Sequence, residues 1–261
     1  MIDLDNSRSR MVLFAGGLLA CASAAVFIAQ SQLDPWQSVV EGSRDAGFVL
    51  TDLKIDGANH TSRSEILAAL DIDDGVPLLS IDLIRIKEQL EKLNWIKSVE
   101  LKRNLPSGLH ITITERVPYA LWQNNGKVQL IDPDGVAITS RGLGDFTDLM
   151  ILVGPNAHLH ATSLQALLDT QPDLSQRVKS AVRVGERRWD VVFENGVRVK
   201  LPEDKNGYRA DDAWSLFASL EQEHSLLSRE VSIIDMRVKD RVYLRLPPGV
   251  SRTERSFETK T

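Results

Sequence analysis

Cysteine is almost absent from this 261-residue sequence, and the one cysteine, Cys21, cannot form a disulfide within the chain. Packed cores must therefore hold the fold together. Charge of neither sign dominates, because 31 Lys and Arg stand against 36 Asp and Glu, for a formal net charge of −5. With only 16 Gly and 10 Pro as well, this balance excludes a collagen-like fibre, a disulfide-stapled mini-protein and a disordered chain. It also argues against non-specific nucleic-acid binding, which requires a basic surface.

Long hydrophobic runs are also scarce: Met11–Ala29 is the one long apolar run, it carries no charge, and a single run of this kind argues against a polytopic membrane protein. In a helix its 19 residues span about 28 Å, close to the hydrocarbon thickness of a bilayer. Arg8 and Arg10 precede the run, and Asp34 is the first charge after it, so the positive-inside rule places the N-terminus in the cytoplasm. We therefore expect a cytoplasmic tail at 1–10, a transmembrane helix at 11–32 and a linker at 33–47.

Two other interpretations of this segment remain. Ala22-Ser23-Ala24 resembles a signal-peptide cleavage site, and Leu18-Leu19-Ala20-Cys21 is a partial lipobox, so the segment could be cleaved or lipidated at Cys21. The chain stays apolar from Ala24 to Ala29, where a mature N-terminus normally turns polar. This pattern favours an uncleaved single-span anchor, with the whole net charge of −5 beyond the membrane.

The first folded unit is expected at 48–117, with the order β-α-α-β-β. Val49–Ile55 is typical of a strand, and Ser62-x-x-Glu65 forms a capping box at the start of a short helix. A second helix is expected from Ser80, as its cap, to Leu93, because apolar residues recur there at steps of three and four. Two strands, near 95–103 and 109–113, alternate with period two. The pattern predicts one three-stranded sheet covered by two helices.

The second folded unit is expected at 118–246 and has mostly short strands with turn signals. Asn195-Gly196 between two alternating runs is a strong hairpin signal, which favours antiparallel pairing. Helices are expected at 161–169 and 213–224, and the last two strands at 233–238 and 242–246. The polar tail at 247–261 is expected to be disordered. Together the two units predict an α+β chain with a mostly antiparallel β domain and flanking helices.

These motifs resemble the FtsQ/DivIB family of bacterial cell division proteins, from the anchor to about Leu246. The first unit is similar to the family's POTRA domain, and the second also carries family motifs. The matching pieces are Ser62-x-x-Glu65-Ile66-Leu67, Gly75-x-Pro77-Leu78, Leu93-x-Trp95-Ile96-x-x-Val99, Arg103-x-x-Pro106, Glu115-Arg116-x-Pro118-x-Ala120-x-Trp122, Asp132-x-x-Gly135, Leu152-Val153-Gly154, Arg188-Trp189-Asp190, Asn195-Gly196, Leu201-Pro202 and Ile234-Asp235-x-Arg237.

A catalytic site or cofactor site is not indicated by any motif. His158-x-His160 has no nearby cysteine and no H-E-x-x-H pattern, so a surface loop pair is favoured over a metal site. The acidic run at 71–74 lacks the spacing of a calcium loop. There is no phosphate-binding loop, no G-x-S-x-G and no dinucleotide fingerprint. We therefore expect no enzyme activity, no cofactor, no metal and no small-molecule substrate.

The last strands, from Ile233 to Leu246, are the best candidate for a partner-binding sheet edge. The family resemblance implies that this edge binds FtsB within an FtsQ–FtsB–FtsL complex, and it implies contacts by Asp235, Arg237, Val238 and Tyr243. Arg237 would pair with a partner carboxylate, while Val238 and Tyr243 would add apolar contact. The alternative interpretation is that Arg237 only bridges an acid on a neighbouring strand and that Tyr243 is a core residue.

The resemblance implies a non-enzymatic scaffold of the division machinery in the bacterial inner membrane, concentrated at the septum and linking early and late division proteins through FtsB and FtsL. Two alternatives stay open. A POTRA unit also occurs in transport and outer-membrane assembly proteins, although 119–246 lacks strands of lipid-facing length. A cell-wall enzyme would require a cluster of titratable groups that the motifs do not provide.

Overall fold

The computed structural model describes residues 35–73, 75–205 and 207–249. The predicted tail at 1–10, the transmembrane helix at 11–32 and most of the tail at 247–261 lie outside these residues. Within the described part of the chain, no helix combines the length and apolar character needed to cross a bilayer. The chain divides into two compact units, with the division between Thr114 and Glu115.

The first unit has the predicted order of strands and helices. It contains α1 (Pro35–Asp45), β1 (Asp52–Asp56), α2 (Arg63–Leu70), α3 (Leu83–Leu90), β2 (Ile96–Asn104) and β3 (Gly108–Glu115). The three strands form one sheet in the order β1-β3-β2, and β1 runs parallel to β3. Buried residues of α2, α3 and the sheet make up its core, among them Ile66, Ile86 and Ile111.

The helix starts in this unit show how side chains set the boundaries. The predicted capping box is confirmed, since Ser62 Oγ accepts from the Glu65 amide at 3.2 Å and a Glu65 carboxylate oxygen accepts from the Ser62 amide at 3.0 Å. The prediction that Ser80 caps the second helix is wrong. Asp82 caps it instead and accepts from two amides at 3.0 and 3.1 Å, because Ser80 lies in a short 3-10 turn.

The expected linker at 33–47 contains helix α1, Pro35–Asp45. Proline suits the first turn of a helix because its missing N–H needs no partner there. The helix ends at Asp45, and Gly47 follows with a φ of +85°, the left-handed conformation common after helices; the Phe48 amide then donates to the Ser43 carbonyl at 2.9 Å. The sequence did not predict this helix because it lacks a sustained apolar period.

The second unit is built on one nine-stranded mixed sheet. Its strand order is β12-β11-β10-β9-β8-β7-β4-β5-β6. Pairing is parallel for β10–β11, β7–β8 and β4–β7 and antiparallel for the other neighbours, as expected for a mostly antiparallel domain. The strands are β4 (Ala120–Asn124), β5 (Lys127–Ile131), β6 (Ala137–Thr139), β7 (Ile151–Val153), β8 (Val178–Val184), β9 (Arg188–Phe193), β10 (Arg198–Lys200), β11 (Ile233–Val238) and β12 (Arg241–Arg245).

The helices of this unit contribute to a core on one face of the sheet. They are α4 (Ala161–Asp169), α5 (Pro172–Ser175) and α6 (Ala210–His224). Helix α6 buries Trp214 and Phe217 against Phe193 of β9, with ring centroids 6.2 and 5.6 Å from that of Phe193. Aromatic pairs at these distances add to the stability gained from burial. Both units together give the α+β class predicted from the sequence.

Gly57 after β1 allows a close backbone approach that a side chain would prevent. Its φ is +87°, and a Cβ there would lie 2.0 Å from the Ile113 carbonyl oxygen. We expect Gly57→Ala to lower the free energy of unfolding of the first unit by more than the ~1–2 kcal/mol that the left-handed conformation alone costs an L-residue. Gly75→Ala is the matched control, since Gly75 has a φ of +74° and open space around it. Urea unfolding followed by circular dichroism measures both, and equal losses would contradict the packing argument.

Candidate partner-binding edge

Strand β12 is the outermost strand at one side of the nine-stranded sheet, with β11 as its only neighbour in that order. The two strands are antiparallel, and their register pairs Asp235 with Tyr243 and Ile234 with Leu244. An irregularity between Asp235 and Val238 interrupts the ladder. An edge strand exposes amides and carbonyls that another chain can complete. The structure therefore places Tyr243 on the outermost strand of the described sheet and places Asp235, Arg237 and Val238 on its neighbour, β11.

The side chains of Arg237 and Asp235 form a bidentate ion pair on the same strand. Arg237 Nε donates to Asp235 Oδ1 at 2.8 Å, and Nη2 donates to Oδ2 at 2.6 Å. The Arg237 amide also donates to Oδ1, at 3.2 Å. Residues two apart on a strand share a face, which explains the contact. The alternative interpretation, in which Arg237 only bridges an acid on a neighbouring strand, does not describe this ion pair, because Asp235 lies on the same strand as Arg237.

The ion pair changes the acidity of both groups. Burial alone would raise the pKa of Asp235, but the hydrogen bonds and positive charge of Arg237 outweigh it and hold that pKa below the ordinary value. The hydrogen bonds that Arg237 donates to the Asp235 carboxylate raise the pKa of Arg237. Both groups are thus charged at neutral pH, and the Arg237 side chain keeps 43% of its surface exposed.

Val238 and Tyr243 lie at the surface, with 48% and 51% of their area exposed. The alternative that Tyr243 is a core residue is therefore wrong. Leu244, which the sequence reasoning did not select, is 37% exposed on the same strand. Exposed apolar and aromatic groups next to an open edge are the composition that anchors a partner strand.

A groove of about 440 Å³ adjoins the end of β11 and is lined by Arg237 and Val238 together with side chains from other segments. The other basic residues in it are Arg187, Arg188, Lys205 and Lys239. Glu203 is the acid in its lining and lies 3.3 Å from both Arg187 Nε and Lys205 Nζ. The groove is therefore mainly basic. The groove forms where three segments that are separate in the sequence meet, so the sequence does not show that these residues lie together. Of its basic residues beside Arg237, only Arg188 was named in the sequence analysis, as part of a family motif.

Asp190 on β9 is buried next to this groove and lies close to two arginine side chains. Its side chain is 4% exposed, and its carboxylate lies 3.5 Å from Arg188 Nε and 3.8 Å from Arg198 Nη1. Register places Asp190 opposite Lys200 of β10, which in turn lies opposite Asp235 of β11. Charged residues thus lie opposite one another on β9, β10 and β11, next to the edge strand.

The histidine pair of the sequence analysis lies elsewhere in the second unit. His158 stacks on Trp122 with ring centroids 3.8 Å apart, and burial holds the pKa of His158 below its ordinary value. The pair is thus part of a packed 3-10 segment, Ala157–His160, and the expected loop is wrong. Among the residues that the structure describes, no group of three or more His, Cys, Asp or Glu side chains is arranged to hold a metal ion.

The fold and the edge define a POTRA-containing protein with a second, mixed-sheet domain. The family "POTRA domain, FtsQ-type" matches residues 48–116, and "Cell division protein FtsQ/DivIB, C-terminal" matches residues 120–237. The chain belongs to the FtsQ/DivIB family of cell division proteins. The second match ends at Arg237, so Val238 and Tyr243 lie just beyond it.

Curated relatives named cell division protein FtsQ match most of the chain. The relative from Agrobacterium fabrum is 31% identical over 83% of this chain, and the one from Rhizobium meliloti is 32% identical over 80%. The match covers 67% of the length of each of these relatives. The relative from Rickettsia conorii is 30% identical over 79% of this chain and 76% of its own length.

Proposed function

We propose that the protein is a non-enzymatic scaffold of the bacterial division machinery, which binds periplasmic segments of FtsB and FtsL at the septum. In this proposal residues 11–32 span the inner membrane, with the N-terminus in the cytoplasm and both folded units in the periplasm. The family membership supports a role in cell division. The position of β12 as the outermost strand of the described sheet is the observation that carries the proposed binding.

The edge suits a partner that adds a strand. Backbone groups of β12 on the side away from β11 would pair with an extended FtsB segment, which supplies affinity without depending on its sequence. Tyr243 and Leu244 would contact alternate side chains of that segment, because neighbouring residues of a strand face opposite sides. Side-chain contacts of this kind provide the specificity.

The charges of the groove favour an acidic partner segment. Asp235 engages Nε and Nη2 of Arg237, so a partner carboxylate would reach the guanidinium through Nη1. Arg188, Lys205 and Lys239 would add longer-range attraction for the same segment. Asp235 thereby acts as a positioning residue that holds the Arg237 side chain beside the edge.

Depletion of the protein in its native host tests the division role. We expect cells to elongate into filaments without septa, while outer-membrane protein levels stay normal until growth stops. A POTRA component of transport or outer-membrane assembly would give the opposite pattern, with loss of outer-membrane proteins and normal septa. That pattern would overturn the proposal. Restoration of septa by the full chain, but not by a full chain that carries Arg237→Glu, would link the role to this part of the sheet.

A further inference from the structure

Strand β2 forms an outer edge of the first unit's sheet, separate from the edge at β12. It is nine residues long and has β3 as its neighbour in the sheet order. The Val99 amide donates to a Glu91 carboxylate oxygen at 3.3 Å, so this amide points away from β3. Backbone direction alternates along a strand, so the amide and carbonyl of Leu101 point the same way. β2 therefore directs backbone groups outward.

A shallow groove of about 680 Å³ runs beside this edge. Leu83 and Ile84 of α3 line one side, and Val99 and Leu101 of β2 line the other. Ile84 is 73% exposed, which is high for a large apolar residue beside a concave surface. Val99 itself is buried, so Ile84 and Leu101 add the apolar contact area, and Lys87, Glu88, Glu91 and Glu100 give the groove a charged border.

We propose that β2 pairs antiparallel with β2 of a second copy of this chain, with the two-fold axis at Leu101. The side chains of Glu100 and Lys102 alternate with Leu101 and are exposed on the opposite face. An axis at Leu101 places each Glu100 opposite Lys102 of the second copy. An axis at Glu100 would oppose two carboxylates, and an axis at Lys102 would oppose two ammonium groups. Like charges directly opposite are destabilising, so the charge order selects one of these registers.

The backbone direction of β2 agrees with this register. Because the Leu101 amide points outward, the two Leu101 residues would form a hydrogen-bonded pair. The neighbouring pairs, Glu100 with Lys102, would then be non-hydrogen-bonded, with Cα atoms about 4.5 Å apart and side chains close together. The strongest charge contact thus falls at the positions where cross-strand side chains approach most closely.

In the single chain, Glu91 accepts a hydrogen bond from an outward-pointing backbone amide of this edge. The Val99 amide donates to the Glu91 carboxylate, which also lies 3.8 Å from Lys87 Nζ. A second strand must displace that carboxylate to complete the ladder. We therefore expect Glu91→Ala to increase association, since it exposes the Val99 amide and leaves the charge pair of Glu100 and Lys102 in place.

One strand pair buries less surface than stable complexes do, which is about 1,200 Å² or more, so we expect weak association. Cysteine trapping suits such a weak contact because the disulfide captures it covalently. The full chain carrying Cys21→Ala and Leu101→Cys is oxidised mildly in detergent, and the disulfide-linked dimer is quantified. Cα atoms about 5.5 Å apart suit a disulfide. We expect efficient trapping, about a tenfold lower yield with either Glu100→Lys or Lys102→Glu, and recovery when both changes are combined.

Two controls separate the specific contact from random collision. Leu67→Cys on α2 is 43% exposed in the same unit and gives the collision background. Arg63→Glu changes the charge of an exposed position away from β2 and should leave the Leu101→Cys yield unchanged. A yield at position 101 no higher than at position 67 would overturn the proposal. So would failure of the combined charge exchange to restore the yield.

Discussion

Arg237→Glu is expected to reduce the affinity of the full chain for a periplasmic FtsB segment by at least about thirtyfold. Loss of one partner from a desolvated charge pair at an interface costs about 2–5 kcal/mol, and 1.4 kcal/mol is a factor of about ten. Charge reversal also places two carboxylates, at positions 235 and 237, where the wild-type chain has a neutral pair. Calorimetric titration of the segment into the full chain in detergent measures the effect.

Three further variants locate the cause of that loss. Arg237→Lys keeps the charge but loses the planar fork, so we expect an intermediate affinity. Tyr243→Ala removes an exposed aromatic anchor without a change of charge and should also weaken binding. Arg141→Glu, beyond the opposite sheet edge at β6, is the matched control and should bind as the wild type does. Equal affinities of Arg237→Glu and Arg141→Glu would remove Arg237 from the site.

Arg116→Met is expected to destabilise the second unit by about 3–5 kcal/mol, because it leaves a buried carboxylate without its cation. Arg116 Nη1 donates to Asp132 Oδ2 at 2.7 Å, and Asp132 has 1% of its side chain exposed. The other Asp132 oxygen accepts from the Val136 amide at 2.8 Å and organises the turn after β5. In a domain of this size the loss corresponds to a fall in melting temperature of about 6–20 °C.

Thermal unfolding of the full chain, followed by circular dichroism, measures this fall. Arg116→Met with Asp132→Asn should recover part of the loss, because the amide needs no counter-ion and its oxygen can still accept from Val136. Arg141→Met changes an exposed arginine and serves as the control, with an expected shift within about 2 °C. A melting temperature of Arg116→Met equal to that of the control would show that the buried pair does not stabilise the fold.

Local sequence signals predicted much of the fold because they act over a few residues. The capping box at Ser62 and the helix at 161–169 are confirmed, since a cap or an apolar face identifies each. Ser80 does not cap the helix because its hydroxyl donates to the Pro77 carbonyl at 2.8 Å, while Asp82 accepts from the Ile84 and Arg85 amides where the helix begins. Helix α1 was missed because the helical spacing of Trp36, Val39 and Val40 lasts for little more than one turn.

The candidate site was only partly predictable for a different reason. Residues two apart on a strand share a face, so the sequence alone predicts that Asp235 and Arg237 lie close together. The family resemblance instead implied a partner carboxylate for Arg237. The groove had no such signal, because it joins Arg187, Lys205 and Lys239 from separate segments. Similarly, His110 on β3 lies 2.7 Å from Asp56 of β1, a contact that depends on strand register.

Hydrogen–deuterium exchange of the full chain with and without the FtsB segment tests strand addition at β12 most directly. If the segment pairs with this edge, amides within Arg241–Arg245 should exchange at least about tenfold more slowly in the complex. The opposite edge of the same sheet, Ala137–Thr139, should exchange at an unchanged rate. Tight binding with unchanged exchange in β12, or with protection at β6 instead, would contradict the account.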